Sequence, residues 1–423
     1  MMLRVYRFVT SLSAPIIHYY LKKRLARGKE DPVRFDERLG HASHMRPSGP
    51  LVWLHAASVG ESLSMLPLID RLLTDHPTLS LLMTTGTVTS AQLMSERLPD
   101  RAFHQYVPVD RIAYVRRFLD HWHPDLALWA ESEFWPNLVS ETHRRGIPMV
   151  LVNGRISPRS FAGWQRARGL IANLLSEFAL CLGQTEEDAE RLRHLGAPGA
   201  MSLGNIKFAV PALPADAAAY DILARSIGAR PRWLAASTHD GEEEAIARVH
   251  LGLKRDYPAL LTIIAPRHPD RGGAIAATLR AQGLTVAQRS ADDAIAEATD
   301  IYVADTLGEL GLFYRLTEIA FLGKSLVPLG GQNPLEALRL GTAVLHGPHM
   351  TNFDKITQDM AEHGCAIEVA HEDALASALG DLLSDPARRG AMAAAGLAYV
   401  EAEAGVVDRV AERIARLLDN AHT

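Results

Sequence analysis

The sequence has few cysteines and no long uncharged apolar run, and these absences narrow the class of protein. It contains two cysteines, Cys181 and Cys365, which excludes a disulfide framework, and no Cys-x-x-Cys or Cys/His cluster suggests zinc. It also contains no Gly-x-Gly-x-x-Gly fingerprint and no Asp-x-Asp triplet. The missing triplet argues against a nucleotide-diphosphate site bridged by a metal ion. We therefore expect neither a bound metal nor a cofactor, and no need for an oxidising compartment.

Composition and length indicate a globular protein with two domains. The chain has 423 residues, of which 48% are hydrophobic and 22% charged. A chain of this length is too long to fold around a single ordinary hydrophobic core. Its net charge of −5 is unevenly distributed, because residues 1–29 hold seven Lys or Arg and no acid. A basic N-terminus on an acidic body argues against nucleic acid as a partner and favours an anionic membrane surface.

The first segment, Leu3 to Leu21, has the pattern of an amphipathic helix. Arg4, Arg7 and Pro15 make it a poor transmembrane span, and no small-residue cleavage site follows it. We expect residues 1–29 to be a membrane-surface anchor, an interfacial helix followed by a basic segment. The alternative is a helix packed on its own domain. The predicted apolar face comprises Val5, Phe8, Val9, Leu12, Ile16 and Tyr19.

From Pro50 onward, short apolar runs alternate with helical periodicity, which predicts doubly wound parallel sheets. Twelve runs are predicted as strands: Leu51–His55, Leu79–Thr84, Phe103–Val107, Asp125–Ala130, Pro148–Val152, Ala179–Leu182, Trp233–Ala236, Leu260–Ala265, Leu284–Gln288, Ile301–Ala304, Ile319–Leu322 and Thr342–His346. The alternation fades between the sixth and the seventh of these runs. We therefore predict one domain at residues 30–208, a connection at 209–230 and a second domain at 231–423. Ligands of such sheets bind beyond the carboxyl ends of the strands.

Three motifs in the first domain place ionisable side chains after predicted strands. Glu61 lies in His-Ala-Ala-Ser-Val-Gly-Glu, where a carboxylate could act as a general base or simply complement a helix dipole. Glu131 and Glu133 follow the fourth strand, a position that is hard to explain as core, although one of them could cap the next helix. Lys207, in Gly-Asn-Ile-Lys-Phe, could neutralise an anionic leaving group.

The second domain contains a double glycine before a short helical pattern. Gly330-Gly331 opens a turn, Asn333 is predicted as the N-cap, and Glu336 lies in the first turn. Free backbone N–H groups there could bind a phosphate while the acid holds a ribose. The alternative is an ordinary, well-capped helix start.

Three further stretches in the second domain could contact an anionic donor. His239 belongs to a Ser-Thr-His segment before an acidic helix start, which could take a phosphate but is equally a capping box. Arg267 follows a strand, and Glu309 begins another helix. Gly323-Lys324-Ser325 is not a P-loop, because position 318 is glutamate instead of the required glycine.

Together these motifs resemble the bacterial transferases of 3-deoxy-D-manno-octulosonic acid (Kdo). The resemblance rests on His-x-x-Ser-Val-Gly-Glu, Glu-x-Glu-x-Trp-Pro-Asn, Gly-x-x-Lys-Phe, Gly-Gly-x-Asn-Pro-Leu-Glu and His-Gly-Pro-His, and it runs from about Arg34 to His349. The chain departs from the family pattern at Leu329, Gln332 and Ala337.

The resemblance implies a GT-B glycosyltransferase, with two Rossmann-like domains facing a central cleft. It implies transfer of Kdo from CMP-Kdo to the lipid A precursor (lipid IVA), with inversion and without a metal, on the cytoplasmic face of the bacterial inner membrane. The N-terminal domain would bind the acceptor and the C-terminal domain the donor. A donor with one phosphate leaves side-chain cations and helix starts to do what Mg²⁺ does elsewhere.

The resemblance also implies roles for individual residues. Glu61 would be the proton acceptor, and Glu131 and Lys207 would stabilise the transition state. The positions implied to contact CMP are Pro266, Arg267, Leu307, Gly308, Glu309, Asn333, Pro334, Leu335 and Glu336. Two other functions stay open: another GT-B enzyme, using a UDP- or ADP-sugar or epimerising a sugar nucleotide, and a non-catalytic lipopolysaccharide-binding protein of the same fold.

Overall fold

The computed structural model describes residues 2–197 and 199–421, and of Asn420 and Ala421 it describes the backbone alone. Met1, the first residue of the predicted anchor, and Thr423, the last residue of the predicted second domain, lie outside the described residues. The chain divides into two compact units. Unit 1 extends to Val210 and includes the segment from Glu403 onward, and unit 2 comprises Pro211–Ala402.

Unit 1 is built on a seven-stranded parallel sheet of order β3-β2-β1-β4-β5-β6-β7. Its strands are β1 Leu51–His55, β2 Ser80–Thr85, β3 Ala102–Tyr106, β4 Leu126–Ala130, β5 Met149–Gly154, β6 Leu180–Gly183 and β7 Met201–Ser202. Its first nine helices are α1 Met2–Leu12, α2 Ala14–Leu25, α3 Val59–Asp75, α4 Val88–Arg97, α5 Ile112–Trp122, α6 Pro136–Arg144, α7 Pro158–Arg166, α8 Arg168–Leu175 and α9 Glu186–Leu195, with 3-10 helices at Phe35–Leu39 and Ile206–Ala209.

Helices cover both faces of this sheet, so its central strands are buried on both sides and consist almost entirely of apolar residues. On one face Trp53 and Trp129 of the sheet pack with Trp122 of α5 and with α8. The indole N–H of Trp53 donates to the Thr84 hydroxyl at 2.9 Å, so this large side chain is buried without an unpaired donor. On the other face α3 packs through Met65 and its neighbours.

Unit 2 repeats the architecture with a second seven-stranded parallel sheet, of order β10-β11-β9-β8-β12-β13-β14. Its strands are β8 Arg232–Thr238, β9 Leu261–Pro266, β10 Val286–Gln288, β11 Ile301–Val303, β12 Ile319–Leu322, β13 Ala343–His346 and β14 Ala366–Glu368. Its helices are α10 Ala217–Ile227, α11 Glu242–Leu253, α12 Gly272–Ala281, α13 Leu310–Leu316, α14 Leu335–Arg339, α15 Asp354–Glu362, α16 Glu372–Ser384 and α17 Pro386–Glu403, with 3-10 helices at Pro269–Arg271 and Arg289–Ala291. The predicted fold class, two doubly wound α/β domains, is confirmed.

The last helix, α18 Val406–Ala421, corrects the predicted domain boundary. The assignment of residues 403–421 to the second domain is wrong, because α18 packs in unit 1. Its apolar residues recur at helical spacing and are buried against α3 and the sheet. The buried residues are Val406, Val407, Val410, Ala411, Ile414 and Leu418.

The predicted connection at 209–230 is also corrected, since most of it folds with unit 2. Residues 217–227 form α10, whose Leu223 and Ile227 are buried. Just before it, Leu213 and Pro214 lie so close to Gly311 that a Cβ there would sit 2.4 Å from the Pro214 carbonyl oxygen. The chain therefore passes into unit 2 through the few residues around Val210 and Pro211, and it returns to unit 1 at Ala402 and Glu403.

The N-terminal segment forms two helices, not one, and α1 contacts unit 1 through its polar side. The Tyr6 hydroxyl donates to Asp110 at 2.9 Å, the Arg7 guanidinium pairs with buried Glu141 at 3.1 Å, and Thr10 accepts from Asn137 at 3.3 Å. The predicted apolar face points the other way: Phe8 and Leu12 are each 65% exposed, and Ile16 and Tyr19 70%. Among the described residues, no helix is long and apolar enough to cross a membrane.

Candidate active site

The Glu61 carboxylate is held at the start of α3, just beyond the carboxyl end of β1. Ser58 caps the helix by accepting from the Glu61 N–H at 3.3 Å, while the Glu61 carboxylate accepts from the Ala57 N–H at 2.8 Å and the Ser58 hydroxyl at 2.9 Å. This hydrogen-bonded position in the first turn of α3 also suits the helix-dipole role considered for Glu61. It also fixes the carboxylate in one orientation, as a general base requires.

Burial raises the pKa of Glu61, and the negative charges of Glu131 and Glu133 raise it further. The hydrogen bonds from Ala57 and Ser58 oppose this rise. The carboxylates of Glu131 and Glu133 therefore lie close enough to Glu61 to interact with it electrostatically. A glutamate with a raised pKa accepts a proton more readily than an ordinary surface carboxylate.

Glu131 is the residue directly after β4, and its backbone lies in the left-handed region of φ/ψ space, with φ of 56°. Few residues other than glycine adopt this conformation, which costs of order 1 kcal/mol or more and is concentrated at functional sites. The carboxylate pairs with the Lys207 ammonium at 2.6 Å and accepts from the Gln184 amide at 3.4 Å. Burial raises the pKa of neighbouring Glu133. The two predicted transition-state stabilisers are therefore in direct contact.

Lys207 is placed by a side-chain clamp that the sequence analysis missed. Asn153, at the end of β5, is 2% exposed and left-handed, with φ of 58°. Its side-chain oxygen accepts from the Ile206 N–H at 3.0 Å, and Asn205 accepts from the Lys207 N–H at 3.1 Å. These bonds fix the 3-10 helix that carries Lys207. The available signal was Asn-Gly directly after an apolar strand, since asparagine tolerates the left-handed region.

In unit 2, the predicted CMP-contacting stretches follow β9, β11 and β12. Strand β11 pairs with β9, which pairs with β8, which pairs with β12. All three stretches therefore lie at the carboxyl edge of one sheet, where doubly wound folds bind ligands.

Within these stretches, Pro266 is buried while Arg267 is exposed, and the Arg267 backbone N–H donates to the Thr238 carbonyl at 3.0 Å. The Arg267 guanidinium forms no ion pair with any residue in the described part of the chain. Leu307 is 84% exposed, and Gly308 has φ of 82°. At this sheet edge the Arg267 guanidinium could hold an anionic group through two hydrogen bonds, and the exposed Leu307 side chain could pack on a planar nucleobase.

The two acids in these stretches differ in their surroundings. Glu309 is paired with Arg289 at 2.7 Å, and the hydrogen bond from that arginine lowers its pKa. Burial raises the pKa of Glu336, opposed by the Asn333 amide and the charge of Arg267. Glu309 thus forms an ion pair within the protein, whereas the carboxylate of Glu336 accepts a long hydrogen bond, 3.4 Å, from the Asn333 amide.

The cap predicted at Asn333 is displaced by one residue, because helix α14 begins at Leu335 after Pro334. Asn333 still caps this start, since its side-chain oxygen accepts from the Leu335 N–H at 3.2 Å. The helix is only five residues long, so its dipole is weak. Gly330 and Gly331 both have positive φ, of 93° and 76°, as the predicted turn requires.

Two doubly wound parallel sheets in succession are the architecture of the GT-B fold. The UDP-GlcNAc 2-epimerase of Neisseria meningitidis, solved with UDP-GlcNAc, shares the fold, with a TM-score of 0.59 at 13% identity over 87% of this chain and 100% of that one.

Sequence similarity then identifies the family. Residues 33–210 match the family described as 3-deoxy-D-manno-octulosonic-acid transferase (kdotransferase). The 3-deoxy-D-manno-octulosonic acid transferase of Rickettsia bellii is 35% identical over 385 residues, 91% of each chain. That of Bordetella pertussis is 34% identical over 429 residues, 97% of this chain and 98% of the relative. The chain belongs to the 3-deoxy-D-manno-octulosonic acid transferase family, as the sequence motifs predicted.

Proposed function

We propose that this protein transfers Kdo from CMP-Kdo to lipid IVA in lipopolysaccharide synthesis, with inversion and without a metal ion. Family membership supports the transferred sugar. The observation that carries the chemistry is the cluster of Glu61, Glu131 and Lys207 at the carboxyl edge of the unit 1 sheet, with a 2.6 Å ion pair between the last two. The CMP-Kdo donor is inferred from two residues of unit 2: Arg267, which forms no ion pair among the described residues, and the exposed Leu307. The lipid acceptor is inferred from helix α1.

In the proposed reaction, Glu61 accepts the proton of a glucosamine hydroxyl while that oxygen attacks the ketosidic carbon of Kdo. The bond from that carbon to the phosphate oxygen breaks, and CMP leaves with the bonding electron pair. The fixed orientation and raised pKa of Glu61 suit this role. A positioned base contributes about 10²- to 10⁴-fold to such a rate.

Lys207 would offset negative charge on the departing phosphate or on the Kdo carboxylate. Glu131 holds the ammonium in place through the 2.6 Å ion pair, and the Asn153 clamp fixes the backbone that carries it. Because these groups are held before substrate binds, little reorganisation is needed as charge develops.

The donor would bind unit 2 at the carboxyl edge of its sheet. Arg267 would hold the phosphate, Glu336 the ribose hydroxyls, and Leu307 would cover the base. The remaining predicted contacts would be backbone approaches at Pro266, Gly308, Pro334 and Leu335, with Glu309 acting through its partner Arg289.

Helix α1 would hold the protein on the cytoplasmic surface of the inner membrane. Its polar side is engaged with Asp110 and Glu141, so its exposed apolar side is free to enter a lipid interface. Lys22, Lys23, Arg27 and Lys29 are exposed at the end of α2 and just beyond it. Each such residue near an anionic surface contributes about 1 kcal/mol.

The proposal is tested by nucleotide selectivity and by acceptor dependence. We expect CMP, but not UDP, to protect the full-length protein against thermal unfolding, and CMP release from CMP-Kdo to require lipid IVA. Protection by UDP alone would favour an enzyme acting on a different sugar nucleotide. Binding of the lipid without any CMP release would favour the non-catalytic alternative.

A further inference from the structure

The backbone loop after β12 already contains a bound anion, and that anion is a side chain of the protein. Glu242, 1% exposed at the start of α11, accepts from the N–H groups of Ser325 and Leu326 at 3.0 and 3.1 Å through one oxygen. Its other oxygen accepts from the N–H groups of Lys324 at 2.6 Å and His239 at 2.9 Å. The Gly-Lys-Ser turn is therefore an anion nest that no substrate phosphate can use.

This shared carboxylate oxygen brings the ends of β8 and β12 together. His239 follows β8 and Lys324 follows β12, and both donate to the same atom of Glu242. At Gly323 a Cβ would lie 2.6 Å from the Ser237 carbonyl oxygen, so only glycine permits this approach. Ser237 and Lys324 are both left-handed, with φ of 55° and 63°. Strained backbone of this kind at the ends of paired strands is typical of functional sites.

The side chains at this junction are cationic or donate hydrogen bonds. The rings of His239 and His268 lie 5.6 Å apart, edge to face, and the Gln332 amide nitrogen is 3.4 Å from the His239 Nε2. Within the described chain, the Lys324 ammonium forms no ion pair. The adjacent acids are occupied: Asp240 and Glu243 pair with Arg271, and Glu242 is saturated by four N–H groups.

We propose that His239, Lys324 and Gln332 form a subsite for an anionic group of the donor, either the nucleotide phosphate or the sugar carboxylate. The inference rests on CMP-Kdo as donor, which carries both groups. Because Glu242 fills the backbone nest, this subsite binds through side chains alone, and Glu242 is a positioning residue that sets His239 beside Lys324. Gln332, where the family pattern differs, supplies a neutral donor.

The protonation of His239 gives an independent signature. Burial lowers the pKa of this imidazole, and electrostatic interactions with neighbouring Lys324, His268, Arg267 and Arg271 lower it further. In the unliganded protein the ring is therefore mainly neutral at neutral pH. An anion beside it would favour the charged form and raise its pKa.

The test compares the full-length protein with Lys324→Met, and with Lys355→Met as the matched control on α15. Binding of CMP and of cytidine is measured by calorimetry, and kcat and KM are measured for CMP-Kdo with lipid IVA. The loss of one charge-assisted contact is expected to weaken binding about ten- to a hundredfold. If the phosphate occupies the subsite, Lys324→Met weakens CMP and leaves cytidine unchanged. If the carboxylate occupies it, CMP binding is unchanged and the KM for CMP-Kdo rises.

A second measurement uses histidine NMR, with the His239 signal assigned by its absence in His239→Gln. We expect the His239 pKa to rise on saturation with CMP for a phosphate subsite, or with CMP-Kdo alone for a carboxylate subsite. Unchanged CMP binding and unchanged CMP-Kdo kinetics in Lys324→Met, together with an unshifted His239, would overturn the subsite. Failure of the wild-type protein to consume CMP-Kdo would instead reject the proposed function.

Discussion

The exposed apolar face of α1 should decide how strongly the protein binds a lipid surface. Phe8 and Leu12 are each 65% exposed, and complete burial of such a side chain stabilises by about 1.5–3 kcal/mol. At this exposure each residue can contribute about 1–2 kcal/mol on entering the interface. The double substitution Phe8→Ser/Leu12→Ser should therefore cost about 2–4 kcal/mol, a roughly 30- to 1,000-fold fall in the vesicle partition coefficient.

The assay is co-sedimentation of the full-length protein with vesicles containing anionic lipid. The double variant should keep its thermal stability, because the contacts that dock α1 come from Tyr6, Arg7 and Thr10 on the other side of the helix. Ile222→Ser/Leu251→Ser is the matched control, since these residues are 59% and 44% exposed but lie in unit 2. Equal partitioning of the wild-type protein and the α1 double variant would refute the argument.

Four other predictions concern the chemistry. Glu61→Gln should lower turnover about 10²- to 10⁴-fold with CMP affinity unchanged, and near-normal steady-state turnover would contradict the assigned base. A general base acts in its deprotonated form, and the pKa of Glu61 is raised. The kcat of the wild-type protein should therefore fall as the pH drops through a pKa above that of an ordinary glutamate. The pH–rate profile of Glu61→Gln should lack this acidic fall. Arg267→Ala should weaken CMP binding in calorimetry without loss of thermal stability, because its exposed guanidinium has no ion-pair partner among the described residues, and unchanged affinity would place the phosphate elsewhere. Turnover should persist in excess EDTA, and loss of activity that Mg²⁺ restores would contradict the side-chain account of charge stabilisation.

Much of the sheet architecture could be predicted because buried parallel strands are continuous apolar runs. All twelve predicted runs overlap observed strands, but β7 and β14 were missed, since two- and three-residue strands at sheet edges leave little pattern. The helical character of α18 could also be predicted. Its place in unit 1 could not, because an apolar stripe does not specify which core it will join.

The site shows the same limit. Glu61, Glu131 and Lys207 could be located because each lies in a distinctive motif after a strand. The Asn153 clamp and the Glu242 nest depend on contacts 53 and 82–84 residues apart in sequence, which local patterns do not encode. Likewise, helical periodicity predicted the apolar face of α1, but only the contacts of Tyr6 and Arg7 show that this face is left exposed.

We propose that this chain attaches Kdo to a lipid A precursor with Glu61 as the base. Mass spectrometry of lipid IVA after incubation with CMP-Kdo tests it directly, with wild-type protein and Glu61→Gln run in parallel. We expect the wild-type protein to increase the acceptor mass by one or more Kdo residues, while Glu61→Gln binds CMP but leaves almost all acceptor unmodified. An unmodified acceptor with wild-type protein, or equal product from Glu61→Gln, would contradict the account.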